Sequence, residues 1–136
     1  MPKITHIPRK AFEKGVCSEY PVAIRIADDL SQLQAITNSD QTTYTFIFLD
    51  VEDESGITKE DARKIMDALL NAKYNDDDVV VHCEAGISRS GAVAQFAIDC
   101  LGFDDCSAPV TAEGQPWRVP NKRVMNWLNN ALLYNT

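Results

Sequence analysis

The sequence predicts an α/β fold, with a central, mostly parallel sheet of about 4–5 strands flanked by helices. Two observations carry that prediction. Short β-branched and aromatic runs alternate with stretches patterned at helical spacing. One run, Val79-Val80-Val81, is apolar at every position. Unbroken apolarity suits a strand covered on both faces, as parallel strands are.

Taken in order, residues 22–26 read as a first strand. Asp28 then opens a short helical stretch using Leu30, Leu33 and Ile36. Residues 44–49 form a stronger strand, rich in β-branched and aromatic side chains. An acidic loop follows at 50–57. Residues 58–73 carry the clearest helix: Ala62, Ile65, Met66, Leu69 and Leu70 make an apolar stripe. Thr58 with Asp61 resembles a capping box, Asp standing for the usual Glu. Residues 75–78, Asn-Asp-Asp-Asp, break the chain with charge before the valine strand. A helix over 89–101 buries Val93, Ala94, Phe96, Ala97, Ile98 and Leu101, and Gly102 supplies its C-cap. Residues 103–120 read as irregular. Asn121 caps a last helix whose apolar face uses Val124, Met125, Leu128 and Leu132.

The 136 residues fit one domain with a core of its own. A formal net charge of −7 disfavours a broad basic surface, and with it nonspecific nucleic-acid or anionic-membrane binding. No stretch has the length and apolarity of a secretory signal or a membrane span. The cysteines, Cys17, Cys83, Cys100 and Cys106, form no C-x-x-C pair. A reduced, cytoplasmic setting without a metal site is the expectation. Cys100 and Cys106 read as small buried hydrophobes.

The chemistry concentrates in residues 82–91, His-Cys-Glu-Ala-Gly-Ile-Ser-Arg-Ser-Gly. Cys83 ends the valine strand, and Arg89 starts the next helix. A tight loop between them turns successive backbone N–H groups inward, making an anion nest at a helix N-terminus. Gly86 lies mid-loop, where a tight turn or a close ligand approach needs it. Arg89 adds a planar fork matching two phosphate oxygens. The same positive field favours the nucleophilic thiolate of Cys83. Residues Glu84, Ala85, Gly86, Ile87, Ser88 and Arg89 are the expected phosphate cradle. The hydroxyl of Ser90 is set to donate to the Cys83 sulfur. His82 precedes Cys83 on the strand and so points to the opposite face, which suits loop organisation rather than proton abstraction. A general acid for the leaving oxygen is also needed, and Asp50, Glu52, Asp53 and Glu54 of the acidic loop are the candidates.

This pattern resembles the protein tyrosine phosphatase superfamily, in particular compact dual-specificity-like phosphatases of bacterial and phage type. The residues that carry the resemblance are His82-Cys83, Arg89-Ser90, the valine strand before them and the apolar helix after. It extends more weakly to Pro120-Asn121. The resemblance implies the cysteine phosphatase fold, with Cys83 as nucleophile, Arg89 as clamp and a phosphocysteine intermediate. It implies no cofactor. Laying the acidic loop against the family pattern gives Asp53 as the general acid, with Asp50 second. The implied partner is a phosphorylated protein: phosphotyrosine, with phosphoserine and phosphothreonine admitted by a shallow pocket. Competing readings are a phosphate-binding module without turnover, an RNA 5′-phosphatase on the same fold, and a sulfur-transfer or arsenate-reducing enzyme. Arg118 stands either in the pocket wall or on the surface.

Overall fold

The computed structural model describes residues 1–33, 40–107 and 118–134. Five strands form one sheet in the order β3-β2-β4-β1-β5. They are β1 (Lys3–Pro8), β2 (Val22–Ala27), β3 (Thr42–Ile47), β4 (Val79–Cys83) and the two-residue β5 (Asp104–Asp105). Every pairing is parallel, with Ile4 opposite Val79 on one side of β4 and Val22 opposite Val79 on the other. The valine strand is thus central, and its five residues are all buried.

The helices are α1 (Arg9–Glu13), α2 (Lys59–Asn75), α3 (Arg89–Leu101) and α4 (Lys122–Tyr134). Thr58 caps α2 by accepting the Asp61 N–H at 3.1 Å. Gly102 ends α3 in the left-handed conformation, at φ 78°. Asn121 accepts the Val124 N–H at 3.1 Å at the start of α4.

One face of the sheet meets the main core, where Ile24, Ile26, Val79 and Val81 pack with Ile65, Leu69, Phe96 and Leu128. The other face carries a smaller cluster of Phe12, Ala23 and Val80. Strand alternation therefore sends Val79, Val81 and Cys83 to the main core and Val80 to the lesser one.

The structure adds elements that pattern reading missed. The segment Lys-Ile-Thr-His-Ile-Pro has no clean alternation, yet it pairs with β4 along its whole length from Ile4 to Pro8. Within 103–120, Asp104–Asp105 extends the sheet beside β1.

Two expectations are corrected. The stretch after Asp28 is a single 3-10 turn, Leu30–Gln32. Asp29 caps it, and Leu33 turns extended at φ −107° and ψ 90°, which stops helix propagation; Ile36 lies outside the described residues. Cys100 and Cys106 are exposed rather than buried. Cys100 falls on the outward side of the last turn of α3, and Cys106 follows the edge strand.

Candidate active site

In a parallel sheet all carboxyl ends lie at one edge, where ligands of open α/β sheets bind. Here four of them converge. β4 ends in Cys83, and the loop Glu84–Ser88 follows. Just past β2, Asp28 Oδ1 accepts from Arg89 Nη1 at 2.7 Å. Just past β3, the Phe48 carbonyl accepts from the same nitrogen at 2.7 Å. The start of α1, just past β1, donates the Arg9 backbone N–H to the Glu84 carbonyl at 3.3 Å.

The loop carbonyls have partners on its outside. Beyond Glu84, the Gly86 carbonyl meets His6 Nδ1 at 2.6 Å. The Ile87 carbonyl accepts from the Val119 N–H at 3.2 Å, and that of Ser88 from the Asn121 N–H at 3.1 Å. In a trans peptide C=O and the following N–H point opposite ways. Carbonyls held outward therefore turn the N–H groups of Ala85, Ile87, Ser88 and Arg89 inward, as an anion nest requires. Gly86 makes the turn at φ +74°, and a Cβ there would collide with the backbone of Ile7 and Pro8. Ser88, the N-cap residue of α3, makes no side-chain cap. The first-turn N–H groups of the helix are left for a ligand.

Cys83 is buried at the foot of this loop, with its sulfur 3.1 Å from the Ser90 hydroxyl, itself fully buried. Arg89 is also buried. Its Nη1 is tethered to Asp28 and Phe48, while its Nε has no hydrogen-bond partner among the described residues. A buried charged donor without a partner costs upwards of ~1–3 kcal/mol. Arg9 binds the Glu84 carboxylate through Nε at 2.7 Å and Nη2 at 3.0 Å, which holds that carboxyl below its usual range.

His82 lies on the face opposite Cys83. Its Nε2 accepts from Arg25 Nε at 2.9 Å, and its ring packs on Phe12 at 4.7 Å between centroids. Burial, reinforced by the Arg25 charge, pushes its pKa down to about 4. A hydrogen bond to the loop also comes from His6, which lies on β1, the neighbour of β4.

The acids separate by geometry. Asp50 Oδ1 accepts from the Ser88 hydroxyl at 2.8 Å and from Asn121 Nδ2 at 2.8 Å, so it sits against the loop. A cavity of about 420 Å³ opens beside it, lined by Glu52, Val119 and Pro120 among others. Asp53 is exposed and accepts from Ser55 through the backbone at 2.9 Å and the hydroxyl at 2.5 Å, which holds its carboxyl below the usual range. Glu52 reaches the Lys122 N–H at 3.3 Å, and Glu54 is exposed. A larger cavity of about 690 Å³ borders β3 and α2, and its lining includes no Cys, Ser or His.

Solved structures repeat this arrangement of elements. Human DUSP28 superposes with a TM-score of 0.66 at 13% identity, over 100% of this chain and 97% of that one. The human tyrosine phosphatase-like serine/threonine/tyrosine-interacting protein gives 0.65 at 13%, over 100% and 95%. This chain has the cysteine phosphatase fold. DUSP15 matches with a TM-score of 0.59 at 14% identity, over 96% and 83%. No family model and no curated protein matches the sequence.

Within this fold, residues that were not among the candidate site residues touch the loop or its partners, His6, Arg9, Asp28, Asn121 and Arg118 among them. His6 lies on a segment to which no element was given and Asp28 at the expected start of a helical stretch, and no spacing links either to Cys83. Asn121 was legible only as a helix cap, yet its amide also bonds Asp50 and the Val51 carbonyl. Arg118 is held in place rather than free at the surface. Its side chain is buried and bonds His6 Nε2 at 3.2 Å, Gln95 at 2.9 Å and Asp105 at 3.1 Å. Among the described residues no helix is long and apolar enough to cross a membrane.

Proposed function

We propose that this protein hydrolyses phosphate monoesters through a phosphocysteine. The observation that carries the reading is the loop whose outward-held carbonyls leave an inward ring of N–H donors above a buried thiol. The Cys83 thiolate attacks phosphorus in line as the ester P–O bond breaks, and a carboxylic acid gives its proton to the leaving oxygen. Water then attacks the phosphocysteine, returning a proton to that acid and the electron pair of the broken P–S bond to sulfur. The inward donors and Arg89 stabilise the charge on the transferring group. Ser90, 3.1 Å from the sulfur, donates to the thiolate as it leaves.

The acid that the geometry favours is Asp50, bonded to Ser88, rather than Asp53, bonded to Ser55. His82 keeps a supporting role behind the loop through Arg25. The substrate class is a phosphorylated protein, phosphotyrosine first, in the cytoplasm. The net charge of −7 weighs against an RNA end as substrate. Hydrolysis of p-nitrophenyl phosphate tests the reading: the wild type is expected to turn over at least ~10³-fold faster than Cys83→Ser, as loss of a nucleophile implies. Equal rates would leave only a phosphate-binding module.

A further inference from the structure

His6 and Arg118 are 112 positions apart in the chain, and both are buried. Arg118 Nε donates to His6 Nε2 at 3.2 Å. Arginine has donors only, so that ring nitrogen must be an acceptor. The proton of the neutral ring then sits on Nδ1, which donates to the Gly86 carbonyl at 2.6 Å. The opposite tautomer would set a donor against a donor at one end of the ring and an acceptor against an acceptor at the other. Arg118 is itself fixed by Gln95, Asp105 and Ser107, so it cannot follow a displaced ring at little cost.

We propose that His6, locked in one tautomer by Arg118, is the positioning residue that keeps the Gly86 carbonyl out of the anion nest and the Ile87 N–H inside it. This rests on the reading of residues 84–89 as a phosphate cradle. Without a Cβ at residue 86, the Gly86–Ile87 peptide lacks the steric bias that a side chain imposes. Glycine tolerates either hand of backbone conformation, so local sterics do not hold the plane. A rotation would aim a carbonyl oxygen at the anion where an N–H should be. The His6 donor is what opposes that rotation, and its own direction is set by a residue from the far end of the chain.

The test measures inorganic phosphate binding to the full chain by calorimetry, with the steady-state constants for p-nitrophenyl phosphate alongside. His6→Leu removes the donor with the same branched heavy-atom skeleton as Asn, whereas His6→Asn restores an N–H at the Nδ1 position. His6→Leu is expected to bind phosphate about tenfold more weakly than wild type, the loss of one hydrogen bond serving a charged ligand. His6→Asn should stay within about threefold. Arg118→Gln should weaken binding in the wild-type background but not in His6→Asn, which has no ring tautomer to set. That coupling is measured by a double-mutant cycle read in phosphate-binding free energy, with melting temperatures of the same four proteins separating it from the stability coupling of two residues in contact. Should His6→Leu melt below the assay temperature, the cycle decides alone. Equal phosphate affinity in wild type and His6→Leu, His6→Asn as weak as His6→Leu, or an additive cycle would each overturn the positioning role while leaving the cradle intact. Absence of phosphate binding by the wild type would remove the cradle itself, and this proposal with it.

Discussion

Asp50 and Asp53 are three residues apart and chemically identical, but their surroundings are not. Asp50 shares Oδ1 between Ser88 and Asn121, both fixed to the loop or to the start of α4. Asp53 accepts from Ser55 within its own loop, and no hydrogen bond among the described residues ties it to residues 83–90. Asp50→Asn should therefore slow hydrolysis of poor leaving groups such as phenyl phosphate by roughly 10²-fold or more, while sparing good leaving groups in part. Asp53→Asn should stay close to wild type on both. A series of aryl phosphates of graded leaving-group pKa, run on both variants, makes the comparison. The reverse pattern would return the role to Asp53, as the resemblance alone suggests.

At the scale of elements, the turn from β4 into α3 is held from three directions: by β1 and α1 through His6 and Arg9, by Asp28 after β2, and by the 118–121 segment. Gly86 is the point where this confinement is tightest. Gly86→Ala combines a left-handed φ, costing roughly 1–2 kcal/mol for a side chain, with a collision against the end of β1. The cheapest relief is to push the loop away from β1, which breaks the contact with His6. Phosphate binding is expected to fall by about tenfold or more, beyond what the loss of thermal stability accounts for, since the strained segment is the proposed anion site. Calorimetry and thermal melting on the same samples separate the two effects. Retained phosphate affinity would show that the loop has slack.

For the whole molecule, the consequential buried group is His82, fully enclosed between Arg25 and Phe12. Its pKa falls from 6.5 to about 4 on folding, first because burial removes solvent and then because Arg25 faces it. The unfolded chain thus takes up a proton before the folded chain does. Stability is full above the unfolded value of 6.5 and is lost progressively as the pH falls to the folded value of about 4. With the side chain fully buried, the shift corresponds to roughly 1–3 kcal/mol across that window. Urea unfolding at pH 7 and pH 5 should show the loss in wild type and a smaller one in His82→Gln, which keeps an acceptor for Arg25. Parallel losses in both proteins would assign the effect elsewhere, His6 first, since burial lowers its pKa as well.

Much of this was legible in the chain because it depends on near neighbours. Val79-Val80-Val81 is apolar on both faces and is the centre of the sheet. Thr58, Gly102 and Asn121 are capping residues at the helix ends they flank, since capping is a contact over three or four positions. Cys83, Gly86, Arg89 and Ser90 fall within eight residues, and a strand–loop–helix unit brings them together by itself. What the tertiary structure alone decided involves long sequence separation. β1 has a weak pattern of its own and becomes a strand because β4 and β5 offer it partners. The carboxyl ends of four parallel strands meet only once the sheet has formed, so Asp28, Phe48 and His6 reach the loop from positions that carry no local signal. Asp50 and Asp53 look alike in sequence because a carboxylate's role is set by the groups that face it, and only folding brought Ser88 and Asn121 to the first of them.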